Sequence, residues 1–218
     1  MNNCGEAMEL DLFPTDCGGS IPTSPLQLHC LDIGPKAAAT AYKNWHYLGD
    51  TDFISSFNYG VYFNQRFMGA ITYGPPNAAE LDGFFDRYSQ KQWYEIKRFA
   101  LSSDCPRNSE SRVIAVTMRL LRKRTPVKGV ITYADSGQGH VGTIYKAAGF
   151  QSHGLTAKKS DFYVNGKIQQ RGKTKMIDGE WKERTRKYLF SKRFASKKLN
   201  QKDALNQEKR VEPNGTTP

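Results

Sequence analysis

Cysteine is scarce and scattered in this 218-residue sequence: Cys4, Cys17, Cys30 and Cys105 are the four, and no two stand as a C-x-x-C pair. That excludes a zinc knuckle or a disulfide framework as the organising device and leaves reduced thiols as the expectation. Long apolar runs are missing too. No stretch approaches the ~20 residues that a helical membrane span needs, and the first residues lack the basic and apolar regions of a signal peptide. A soluble, cytoplasmic chain is expected. Surplus positive charge is lacking from most of the length: residues 1–155 hold 15 Lys/Arg against 14 Asp/Glu, a net of +1.

What is present is a basic C-terminal part. Residues 156–218 carry 17 Lys/Arg against 7 Asp/Glu, a net of +10 out of the total +11. A near-neutral body with a basic extension suits a protein that handles a polyanion, because cations placed at phosphates release counterions. A solvated tail that aids solubility is the alternative. Lys158, Lys159, Lys167, Arg171, Lys173 and Lys175 lie nearest the body and are the candidate phosphate contacts.

The pattern along the chain predicts an α/β domain. Residues 1–25, rich in Pro, Gly, Ser and Thr, read as a disordered leader. A strand over Leu26–Ile33 precedes an alanine-rich helix opened by Gly34-Pro35, with proline at its favoured first turn. Strands over Phe53–Phe63 and Arg66–Tyr73, joined as a hairpin around Asn64-Gln65, and a fourth strand over Trp93–Leu101 follow. Glu110–Arg124 is an amphipathic helix with its cations gathered in the last turn, where they complement the helix dipole. A second hairpin is expected at Asn165-Gly166. Trp181–Lys198 reads as a basic helix, and the last residues as disordered. The domain divisions are therefore 1–25, 26–177 and 178–218.

The segment VITYADSGQGHVGTIYKAAGF, Val130–Phe150, concentrates chemistry. Its β-branched and aromatic start fits a buried strand. Asp135 stands at the carboxyl end, the edge of an open α/β sheet where ligands bind, with a glycine turn and His140 behind it. An Asp that merely caps the next helix is the competing reading.

Two family resemblances follow from these segments. GTIYKAAGF is similar to the last motif of the GNAT N-acyltransferases, which implies a central mixed, twisted sheet flanked by helices, and a role for Tyr145 as general acid toward a departing thiolate. A closer resemblance, over about Leu31–Thr156, is to the Mom family of bacteriophage Mu and its relatives, proteins that modify adenine in DNA to evade host restriction. It is carried by LDIGPKAAATAYKNWHYLGD, FNYGVYFNQRFMGAITYGPP, YEIKRFAL with PRNSESRVIA, and YADSGQGHVGTIYKAAGF.

This second likeness implies a phage-encoded enzyme in the host cytoplasm that converts adenine in double-stranded DNA, with the base flipped out, to an N6-carbamoylmethyl adenine. It assigns catalysis to His46, Tyr47, Arg98 and Asp135, and implies iron held by His46, Tyr47 and Asp135, donors that suit such a centre. GNAT enzymes hold the pyrophosphate of acyl-coenzyme A in a glycine-containing loop at a helix N-terminus. Here that loop is SSDCPRNSESR, without glycine, so for acetyl-coenzyme A or another acyl donor the available groups are Arg107, Asn108, Ser109 and Ser111. Two other readings stay open: a conventional acetyl-coenzyme A-dependent N-acetyltransferase acting on a small amine or a protein, and a non-catalytic nucleic-acid-binding protein. The oligomeric state is open, a homodimer included.

Overall fold

The structure is a computed structural model that describes residues 20–49, 53–76, 92–168 and 178–194. Among the described residues ten strands and three α-helices follow one another as β1 (His29–Asp32), α1 (Pro35–Trp45), β2 (Phe57–Phe63), β3 (Arg66–Gly74), β4 (Trp93–Leu101), α2 (Ser109–Arg124), β5 (Gly129–Asp135), α3 (Thr143–Ala147), β6 (Gln151–Leu155), β7 (Ser160–Val164), β8 (Lys167–Ile168), β9 (Glu180–Glu183) and β10 (Lys187–Arg193). Seven of the strands form one mixed sheet in the order β1-β2-β3-β4-β5-β10-β6, and β8-β7-β9 form a small second sheet. Only β4 and β5 pair in parallel within the large sheet.

Helices cover both faces of that sheet, which is why β3 is buried along nearly its whole length instead of alternating. On one face α1 brings Ala38, Ala41 and Tyr42 against Phe67, Ala70 and Ala100. Small residues on both sides of this contact let helix and sheet approach closely. On the other face Val113, Ile114, Met118 and Leu121 of α2 pack over Tyr59, Val61, Met68 and Ile71. Tyr42 and Tyr73 reach the core with their hydroxyls satisfied by Thr72 (2.6 Å) and Thr117 (2.8 Å), as buried polar groups require. Both expected hairpins form. Asn64, Gln65, Asn165 and Gly166 all take positive φ, the backbone of a two-residue turn that follows the strand twist.

Three expectations need correction. Residues 25–27 form a 3-10 turn capped by Ser24, so the first strand is shortened to β1, and the last residues of the expected leader have defined structure; residues 1–19 lie outside the described residues. The strand expected from Phe53 begins at Phe57. Most consequentially, the helix expected over Trp181–Lys198 is two strands as far as it is described, and β10 is inserted between β5 and β6. The helical reading weighed Lys and Arg as helix formers. Tertiary pairing overrides that weak preference: Phe190 is completely buried, and β10 supplies ladder partners to two otherwise unpaired edges. The large sheet therefore includes residues that the sequence reading had placed beyond the domain boundary at 177. The expected disorder of the last residues lies outside the described residues.

Candidate active site

The parallel ladder between β4 and β5 is short. It joins Trp93–Glu95 to Gly129–Ile131 and stops, although β4 runs on to Leu101 and β5 to Asp135. A bulge adds to this: Thr72 and Tyr73 of β3 face Arg98 and Ile96, which leaves Lys97 as the extra residue on β4, and bulges re-aim side chains at sites. Beyond the last shared pair lies a cleft of about 620 Å³, lined by the carboxyl halves of both strands, the end of α1 and the loop into α3. Its size is within the range of pockets that hold a small organic ligand.

Four of the five expected catalytic residues converge at this cleft from different elements, and the fifth forms its inner wall. Asp135 ends β5. Its Oδ1 accepts hydrogen bonds from the Gly137 amide (2.9 Å) and from the Thr185 hydroxyl (3.1 Å), so the residue does cap a 3-10 turn, over Ser136–Gln138. The cap and the cleft position coexist. Tyr47 and His46 arrive where α1 stops: the Gly49 amide donates to the His46 carbonyl at 2.9 Å, closing a β-turn, and the Leu48 amide donates to His46 Nδ1 at 3.2 Å. The His46 and Tyr47 rings stack at 4.5 Å.

Tyr47 and Asp135 both line the cleft, near enough for their side chains to interact. Burial first, then the charge of Asp135 and a hydrogen bond to it, push the phenol above its ordinary value, while Arg98 acts in the opposite sense. Tyr47 is thus a neutral hydroxyl donor at physiological pH. Arg98 is half-buried, donates to the Lys97 carbonyl at 2.9 Å and lies 5.1 Å from the Phe53 ring centre. Tyr145 is the inner wall; its ring packs against Phe190 and Phe150 at 5.5 and 5.9 Å. Burial raises its phenol as well, with the Thr132 hydroxyl opposing.

The other expected sites are placed differently. Arg107, Asn108, Ser109 and Ser111 stand at the start of α2, but none of the four lines the cleft. The Ser109 and Ser111 hydroxyls donate to the carbonyls of Pro106 (2.6 Å) and Asn108 (3.1 Å), and so serve the local turn. From this loop the cleft receives Ser102, Ser103, Cys105 and Glu110 instead. Cys105 is no thiolate nucleophile at neutral pH, since burial, helped by Glu110 and Asp104, pushes its thiol up to about 12. Lys158 lies 3.6 Å from Glu183, Lys159 is half-buried, and Lys167 is in β8; Arg171, Lys173 and Lys175 lie outside the described residues.

His46, Tyr47 and Asp135, the donors that the resemblance assigns to iron, all line the cleft. Among the described residues no three His, Cys, Asp or Glu side chains converge as a ligand set. His46 Nδ1 and Asp135 Oδ1 accept hydrogen bonds within their own turns.

Sequence reasoning missed several members of the cleft. Glu95 and Lys97 pair across 2.8 Å at its wall, largely buried; they lie within the expected strand, but only the bulge shows which way they face. Lys187, which lines the cleft, and Thr185, which bonds Asp135, come from the mistaken helix. Lys187 is the register partner of Asp135, a relation 52 positions apart that only the sheet reveals.

Residues 27–209 match the sequence profile described as the Mom protein family. The chain belongs to that family. A curated relative, the Methylcarbamoylase mom of Escherichia phage Mu, is 28% identical over 148 residues, which cover 66% of this chain and 55% of that protein; the chain thus spans little more than half the length of this Mom relative. Among solved structures, the fold is similar to that of a proposed phosphinothricin N-acetyltransferase, with a TM-score of 0.50 at 11% identity, covering 78% of this chain and 99% of the other. An aminoglycoside acetyltransferase in complex with coenzyme A and kanamycin matches with a TM-score of 0.49 at 12% identity, covering 76% and 94%. The fold is that of the GNAT acetyltransferases, a mixed seven-stranded sheet flanked by helices.

Proposed function

We propose that this member of the Mom family is a DNA-modifying transferase that places a carbamoylmethyl group on N6 of adenine in duplex DNA, and that the modification shields phage DNA from host restriction. Family membership supports the reaction class. The observation that carries the assignment to this site is the meeting of Tyr47 with Asp135 at the mouth of the cleft between β4 and β5.

Adenine N6 is a weak nucleophile because its lone pair is shared with the ring, so a positioned base assists the attack. In this reading the extruded base enters the cleft with N6 toward Asp135. N6 bonds to the methylene carbon of the donor, the donor's leaving group takes the electron pair, and the N6 proton passes to the carboxylate. Tyr47, held neutral, donates to Asp135 or to a ring nitrogen and orients the base; Arg98 supplies positive charge where negative charge gathers on the leaving group. His46 stacks behind Tyr47 and fixes its plane. Tyr145 protonates the leaving group from the inner wall, and a raised phenol retains the proton this needs. Acyl transfer from an acyl-coenzyme A would turn N6 itself into an amide, so the step requires a donor that carries its leaving group on the methylene carbon of the carbamoylmethyl unit.

The test is mass spectrometry of nucleosides from DNA of cells that express the chain. A new adenine adduct with wild type and its loss in Asp135→Asn are the expected results. Soluble wild-type protein with the required host factors and no adduct would refute the reading.

A further inference from the structure

Two short turns form the lip of the cleft, and each carries an exposed aliphatic side chain at its tip. Leu48 is 50% exposed and Val141 52% exposed, and both line the cleft opening. The turns meet through the ring contact of Tyr47 with His140 at 5.8 Å, and Leu48 and Val141 are the next residues along the chain from those two rings. They therefore belong to one lip.

Neither turn is loosely held. Leu48 occupies a corner of the β-turn closed by Gly49, and its amide is tied to His46 Nδ1. Val141 lies between Gly139 and Gly142, both at positive φ, and the second of these sits so close to Phe190 that no side chain fits. A preorganised apolar tip of this kind loses little freedom when it is buried against a partner.

The surroundings say what that partner is. The lip stands over a polar cleft with room for one heterocyclic base. Exposed Lys43 lies in the last turn of α1 just before the first tip, and exposed Lys146 in α3 just after the second. Apolar points flanked by cations are complementary to a stacked polyanion that opens locally. An enzyme that acts on a base takes it out of the stack, and proteins that unstack DNA insert Leu, Ile, Phe or Met side chains at the step that opens.

We infer that Leu48 and Val141 are a wedge that enters the duplex and fills the gap left by the extruded adenine. This rests on the reading of the cleft as a DNA-adenine site. It adds two residues that touch the neighbouring base pairs and not the reacting atoms.

The test uses the full chain and a duplex with one adenine replaced by 2-aminopurine, whose fluorescence rises on unstacking, with binding followed in parallel by anisotropy. Wild type is expected to bind and to raise the signal several-fold. The double variant Leu48→Ala/Val141→Ala should lose most of that rise at saturating protein, and its affinity for duplex should fall at least tenfold more than its affinity for the matching single strand, which has no partner to leave. Leu48→Met should restore the signal. A full rise in the double variant overturns the wedge, as does an equal loss on duplex and single strand, which would make the lip a general pocket wall. Wild type that binds duplex without any rise also overturns it. Wild type that binds no DNA would instead refute the DNA reading itself.

Discussion

Replacing two glycines of one loop by alanine separates a backbone cost from a packing cost. Gly139 and Gly142 flank His140 and Val141, and both hold φ near +70° (70° and 73°). An added Cβ at Gly139 meets nothing within 4 Å, whereas at Gly142 it would lie 2.1 and 2.3 Å from two ring carbons of Phe190. Gly139→Ala therefore carries only the left-handed penalty, about 1–2 kcal/mol. Gly142→Ala carries the same penalty plus overpacking against a ring that cannot retreat, because Phe190 is fully buried between β5 and β6; such overpacking costs about 1–3 kcal/mol.

The expected totals are about 1–2 and about 2–5 kcal/mol. Urea unfolding followed by far-ultraviolet circular dichroism measures both, with an unchanged slope m as the sign that the two states stay comparable. The difference between the variants should exceed about 1 kcal/mol. Equal losses would refute the reasoning and would detach β10 from the core, as the helical reading of Trp181–Lys198 implies.

Two further predictions concern charge. Burial raises the phenols of Tyr42, Tyr73 and Tyr145 and the thiols of Cys30, to about 11, and Cys105, to about 12. A group whose pKa is raised on folding stabilises fully below its unfolded value and loses that contribution as pH climbs toward the folded one; the midpoint of thermal unfolding should stay flat from about pH 7 to 8 and fall steadily above about pH 9, where thiols and then phenols ionise in the unfolded chain. Cys30→Ala/Cys105→Ala should delay the onset by about one pH unit, and a midpoint indifferent to pH up to 11 would refute the assigned burial. For DNA, Lys158→Gln and Lys159→Gln should each reduce the slope of log affinity against log salt by at most about 0.9; an unchanged slope in the double variant would remove both from the interface. Truncation after Thr156 is a poor substitute, since it deletes β10 from the sheet.

Local patterns made the α/β order legible. Gly34-Pro35 announced α1, and the late cations of α2, like the Asn-Gly and Asn-Gln turns, marked their own elements correctly. At the cleft, Asp135 was legible from its place at the carboxyl end of a strand, and His46 and Tyr47 only through the family resemblance. What stayed hidden depends on partners remote in sequence. Lys187-Tyr188-Leu189-Phe190 holds too few residues for alternation to outweigh its helix-favouring neighbours, and its strand state exists only because β5 and β6 lie on either side. The hydroxyls of Ser109 and Ser111 looked available for a phosphate because their carbonyl acceptors, Pro106 and Asn108, depend on the turn that the loop adopts.

The late arrival of β10 orders events in time as well as in space. Asp135 leaves the ribosome before the residues that hold it, because Thr185 binds its carboxylate and the Arg186 carbonyl accepts from both the amide and the hydroxyl of Ser136. At about 5–20 residues per second, the stretch from Asp135 to Arg193 takes roughly 3–12 s to emerge. During that interval β5 and β6 are open edges and the carboxylate lacks its Thr185 partner. The proposed site is therefore incomplete until the C-terminal strand closes the sheet, and any chaperone that shields β5 in those seconds is competing for the position that Phe190 will take.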